Sequence, residues 1–158
     1  MKPAVIAVTL ASSGAPAGSA LAETCNKAAF EAVVAEANAA INREADGNKR
    51  ALQEKLSLIK TQQGWSEADF LANAAPFVRD EATQQFDARN KALLGEVAAL
   101  GGDAAAAPEA RCAMLDRLRA LMANVVSNTA AKWRHMHMKA DAALNPHRSH
   151  FATANSAK

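Results

Sequence analysis

Residues 103–146 read DAAAAPEARCAMLDRLRALMANVVSNTAAKWRHMHMKADAALNP, and this stretch decides the fold. Within it Leu115, Leu118, Met122, Val125, Thr129, Trp133, Met136, Ala140 and Leu144 recur at intervals of three and four. That is the period of an α-helix burying one stripe, and a strand would alternate instead. The helix is expected to begin near Asp103 or Pro108, since proline suits a first helical position, and to end at Asn145-Pro146. A helix this long and narrow in its apolar face needs partners to cover it.

Working toward the N-terminus, Gly101-Gly102 stops a preceding helix, whose face carries Phe77, Phe86, Leu93, Val97 and Leu100. Its start is marked by Ser66 as cap, Asp69 three residues on, and Trp65 with Phe70 in staple positions. Pro76 is predicted to kink this helix or divide it, which gives a four-helix count. Further back, Phe30, Val34, Ala37 and Ile41 share a phase with Leu52, Leu56 and Ile59. The turn-like Asp46-Gly47-Asn48 interrupts the composition but not the phase, because eleven residues from Ile41 to Leu52 make about three helical turns. One helix from about Thr24 to Gln63, weakened at Gly47, is therefore expected over two short ones.

Three long helices with short links predict an all-α, up-down-up bundle over residues 23–145, with the first and third helices parallel. The cysteines agree with this topology. Cys25 opens the first helix and Cys112 lies near the start of the third, so both thiols fall at one end of the bundle, as a disulfide requires. Closing a loop of about 88 residues stabilises a fold by up to roughly 4 to 5 kcal/mol on the chain-entropy argument. A narrow apolar face also allows two copies to pair into a six-helix homodimer.

The first 22 residues read as a secretory signal. Lys2 precedes the apolar run Ala4-Val5-Ile6-Ala7-Val8-Thr9-Leu10, and small residues lead to Ala20-Leu21-Ala22, a small-x-small cleavage site. The run is far shorter than the ~20 residues of a membrane span. Glu23 and Thr24 separate the cleavage point from Cys25, so no lipid-attachment cysteine is formed. The chain is expected to be periplasmic or secreted, which is also where a disulfide persists. Residues 146–158 are polar and short, and are expected to be a disordered tail.

Function is less legible. With 18 basic and 16 acidic residues the charge is almost balanced, and no dense Lys/Arg cluster exists to neutralise phosphates, so nucleic acid is not an expected partner. No H-E-x-x-H, G-x-S-x-G, G-x-G-x-x-G, P-loop or C-x-x-C-H is present, and no catalytic residue is proposed. Glu67, Asp69, Asp80, Glu81 and Asp87 sit where solvated faces or caps put carboxylates.

Two local features bear on binding. In Trp133-Arg134-His135-Met136-His137-Met138, followed by His147 and His150, imidazole and thioether are the ligands copper favours. On a helix His135 and Met138 share a side at i and i+3, whereas Met136 falls on the apolar stripe with Trp133. Residues 42–53 resemble an EF-hand loop, with Asn42, Glu44 and Asp46 at positions one, three and five and Gly47 at six. Asn42 and Gln53 replace the aspartate and bidentate glutamate that such a loop needs, and Arg43, Lys49 and Arg50 oppose a cation.

The expected role is that of an exported, non-catalytic binding or accessory protein acting through a helical surface on a protein or envelope component. Trp65, Phe70, Phe77 and Phe86 are the candidate surface residues, and a copper site at the C-terminal histidines is the alternative.

Overall fold

In the computed structural model, which describes residues 25–100 and 107–146, these residues form four helices and no strand. They are α1 (Lys27–Gln63), α2 (Phe70–Val78), α3 (Glu81–Leu100) and α4 (Pro108–Leu144). The predicted signal and the tail from His147 onward lie outside the described residues.

α1 begins two residues after Cys25 because Asn26 caps it: Asn26 Oδ1 accepts from the Ala29 N–H at 3.0 Å. It then runs unbroken for 37 residues, about 55 Å. It ends where Gly64 takes a left-handed φ of 67° and the Trp65 N–H returns to the Lys60 carbonyl at 3.0 Å. The expected continuity through Gly47 holds. Residues 42–53 are therefore helical rather than looped, and Asn48 Nδ2 donates to the Glu44 carbonyl and carboxylate at 2.7 and 3.0 Å. A Cβ at Gly47 would meet no atom within 4 Å. Gly47→Ala should accordingly stabilise the protein by about 0.5–1 kcal/mol, read as a rise in thermal midpoint; an unchanged or lower midpoint would contradict a regular, open helical site there.

α4 is the central helix, packed along α1 on one side and α3 on the other, with α2 covering its far end. The α1–α4 pair is parallel: the Cys25–Cys112 disulfide joins the two at their starts, and Lys55 Nζ lies 2.6 Å from Asp141 Oδ1 near their ends. Against the other side of α4 the chain runs antiparallel. Sequence separation grows from 21 at the Arg117–Glu96 pair to 63 where Lys139 meets the Pro76 carbonyl. The up-down-up order and the staple are thus as the sequence predicts.

The second predicted helix is divided, and the division falls at Arg79–Asp80 rather than at Pro76. Pro76 sits inside α2, and Arg79 turns extended (φ −137°, ψ 101°). The break is stabilised by a reciprocal cap, in which the Thr83 N–H donates to Asp80 Oδ1 and the Asp80 N–H to Thr83 Oγ1, each at 2.8 Å. With the Asp80 N–H so engaged, the Pro76 carbonyl is left to accept from Lys139 Nζ. At the start of α2 the Ser66 hydroxyl accepts from the Asp69 N–H at 3.2 Å and donates to the Asp69 carboxylate at 2.6 Å, closing a turn before the helix proper begins at Phe70.

The core has two apolar ends and a polar middle. Near the disulfide, Ala37, Leu118 and Met122 pack with Phe30, Val33, Val97, Leu100 and Val126. At the far end Leu52, Leu56, Ile59, Ala74, Met136 and Ala140 form the larger cluster. Each fully buried Ile or Leu contributes roughly 1.5–3 kcal/mol. Between them the buried Asn128 donates to the Phe86 carbonyl and to Asn90 Oδ1, both at 2.8 Å, and Asn90 Nδ2 donates to Thr129 Oγ1 at 3.1 Å. A satisfied polar layer of this kind tolerates one register of α3 against α4, because a slip would leave its groups unpaired.

Candidate functional site

The residues picked out from sequence disperse over the bundle. His135 Nε2 lies 2.8 Å from Asp80 Oδ2, and Lys139 Nζ donates to the same oxygen at 2.6 Å. The Lys139 ammonium first, then His135 and the Thr83 N–H, hold the Asp80 carboxyl well below the usual carboxylate range. His135 also packs its ring against Phe86, centroids 6.2 Å apart. Met138, three residues on, is 62 % exposed. His137 is half-buried near the Lys55–Asp141 pair. Burial, and then the Lys55 charge, lower its pKa, and its Nδ1 has no hydrogen-bond partner among the described residues. His147 and His150 lie outside the described residues. No cluster of three or more His, Cys, Asp or Glu able to hold a metal ion occurs among the described residues.

The candidate surface aromatics are half-buried. Trp65, Phe70 and Phe77 pack on the far-end core; the Trp65 ring meets that of Phe77 at 6.3 Å, and Lys60 lies over Phe70. Their covering face leaves Leu71 uncovered instead, 80 % exposed on α2.

What the bundle does present is a trough. Because α4 separates α1 from α3, the two outer helices form walls and α4 forms the floor. The lining positions on α1 lie on one face, Lys27, Val34 and Asn38 along one stretch and Lys49, Leu52 and Leu56 along the next, with a step of seven residues from Asn38 to Ala45. Leu100, Val97, Asn90 and Asp87 line it from α3. The cavity at the disulfide end measures about 820 Å³ and is walled by Phe30, Val34, Val97, Leu100, Met114 and Leu118. The middle stretch, about 480 Å³, mixes apolar groups with Lys49, Lys132 and Asp87. A third stretch of about 680 Å³ continues between α1 and α2 past Leu71, Ala74 and Val78.

The chain matches no known protein family, no curated protein and no solved structure. The trough is therefore judged on its own chemistry. Its walls are helices whose backbone groups are already bonded internally, so it offers a partner apolar area, side-chain cations and shape rather than backbone hydrogen bonds.

Sequence reasoning passed over this trough, although one signal for it was present. Val33 and Val34 are adjacent, so α1 carries apolar residues on two neighbouring faces. Val33 packs with the disulfide-end core, whereas Val34 remains 36 % exposed in the trough.

Proposed function

We propose that the chain is an exported, non-catalytic binding protein whose trough takes a partner or ligand from the cell envelope. The observation that supports this most directly is the apolar cavity at the disulfide end, held open between α1 and α3 with Val34 part-exposed. An apolar concavity with few polar groups is the usual form of a binding site. Export is supported by Lys2, the apolar run and Ala20-Leu21-Ala22 in the sequence, together with the Cys25–Cys112 disulfide, which persists in oxidising compartments. No helix among the described residues is long and apolar enough to cross a membrane.

Native mass spectrometry of the protein recovered from a periplasmic extract, without metal-affinity steps, tests the reading. The expected species starts at Glu23, is oxidised, and carries an adduct or partner that Val34→Glu removes while leaving the helical circular dichroism unchanged. A bare mass for both proteins would overturn it. A copper adduct that survives Val34→Glu but is lost in His135→Ala with Met138→Ala would move the function to the end of α4, with His137, His147 and His150 as further ligands.

A further inference from the structure

The disulfide end of the trough differs from the rest in its electrostatics. α1 and α4 run parallel, so their N-termini lie side by side there, tied by Cys25–Cys112. Each helix start carries a partial positive charge, and adjacent parallel starts reinforce one another. α1 has no acidic residue in its first turn to offset this, and α4 has Glu109. Two full cations, Lys27 and Arg111, line the same cavity with one carboxylate, Glu31, which leaves its lining net positive. Lys27 lies 3.4 Å from Glu31 in an ion pair exposed on both sides, which restrains it weakly.

Arg111 is placed differently. Its Nε is buried, yet it has no hydrogen-bond partner among the described residues. That nitrogen is covered by protein, so an arriving anion meets the rest of the Arg111 side chain, which is part-exposed and lines the cavity. Beyond it the cavity turns apolar, with Phe30, Val34, Val97, Leu100, Met114 and Leu118 along its length. Its volume, about 820 Å³, lies within the usual range of small-molecule sites, about 300–1,000 Å³.

We infer that this end of the trough binds an anionic amphiphile of the long-chain carboxylate class, with the headgroup on Arg111 and the alkyl chain along Val34, Leu100 and Leu118. The inference rests on the trough being a binding surface and adds the chemical class of what it binds. Charge complementarity selects the headgroup, and the apolar walls select a chain with no polar groups to satisfy. An acidic amphipathic helix would meet the same cation, and the test separates the two.

The probe is cis-parinaric acid, whose fluorescence rises in apolar surroundings, titrated into the oxidised protein beginning at Glu23 beside its methyl ester. The expected result is saturable one-to-one binding of the acid. Arg111→Met should weaken the acid by at least about tenfold, the effect of losing a charge-assisted hydrogen bond, and leave the ester unchanged. Arg111→Lys, which retains the cation, should recover most of the affinity, and unchanged helical circular dichroism for both variants shows that folding is intact. Absence of saturable binding by the wild-type protein overturns the inference, as does equal weakening of acid and ester by Arg111→Met. If in addition native mass spectrometry shows a peptide or protein adduct sensitive to Val34→Glu, the carboxylate assignment alone fails; a bare mass removes the binding reading itself.

Discussion

Replacing Cys25 and Cys112 together by serine should lower the thermal midpoint by about 15 °C. The disulfide closes a loop with a sequence separation of 87 residues, and the chain-entropy relation gives about 4–5 kcal/mol for a loop of that length. A helical domain of this size loses roughly 3–4 °C per kcal/mol. The effect should be large here for a topological reason as well. α1 and α4 are parallel neighbours, so the chain must travel the whole of α2 and α3 before their starts can meet, and the bridge removes that search. Near the disulfide Leu115 is fully buried, but the cluster about Ala37, Leu118 and Met122 is smaller than the far-end core, where Ile59 and Ala140 are fully buried. Loss of the bridge should therefore loosen the disulfide end first. Hydrogen exchange should show protection falling in residues 27–37 and 111–122 before it falls around Leu56 and Met136. Thermal melts of the oxidised protein and the double serine variant decide the matter; a shift under about 3 °C would mean that packing alone fixes the ends.

How far the fold could be read in advance depended on which signals were local. The helices, their parallel first and last members and the disulfide all followed from apolar phase and from where the cysteines fell along it. The division of the second helix was legible only in part. Pro76 drew attention because proline lacks an N–H, but the chain breaks at Arg79–Asp80, where Asp80 and Thr83 cap one another across three residues. That spacing is present in the sequence and was masked by the more familiar proline signal. The aromatic candidates for a surface are half-buried: Trp65, Phe70 and Phe77 pack on the far-end cluster that holds Leu56 and Ile59, and Phe86 meets His135. The two helix starts lying side by side followed from the cysteines, but the burial of the Arg111 Nε did not, because it depends on packing between helices that neighbouring residues do not encode.

Asp80→Ala should cost about 3 kcal/mol at neutral pH, a large effect for one side chain that is not in the apolar core. Asp80 serves two elements at once. Its Oδ1 caps α3 through the Thr83 N–H, and its Oδ2 receives Lys139 and His135 from α4 at 2.6 and 2.8 Å. Loss of an N-cap contributes about 1 kcal/mol. Charge-assisted hydrogen bonds contribute about 1.5–3 kcal/mol, reduced here because the side chains of Asp80, His135 and Lys139 retain about a quarter of their exposure. Asp80→Asn separates the two parts: the amide oxygen can still cap α3, but the charge is gone, so about half the loss should remain. The pH dependence supplies the sharper test. The folded carboxyl is held below its ordinary value of 3.8, so its contribution is complete above that value. It is lost progressively as pH falls below it, where the unfolded chain takes up a proton that the folded chain refuses. In urea unfolding at pH 7, 4 and 3, the stability gap between wild type and Asp80→Asn should therefore narrow as the pH falls. A gap that stays constant from pH 7 to pH 3 would show that Asp80 acts as a cap alone, and that Lys139 and His135 reach α3 without drawing stability from its charge.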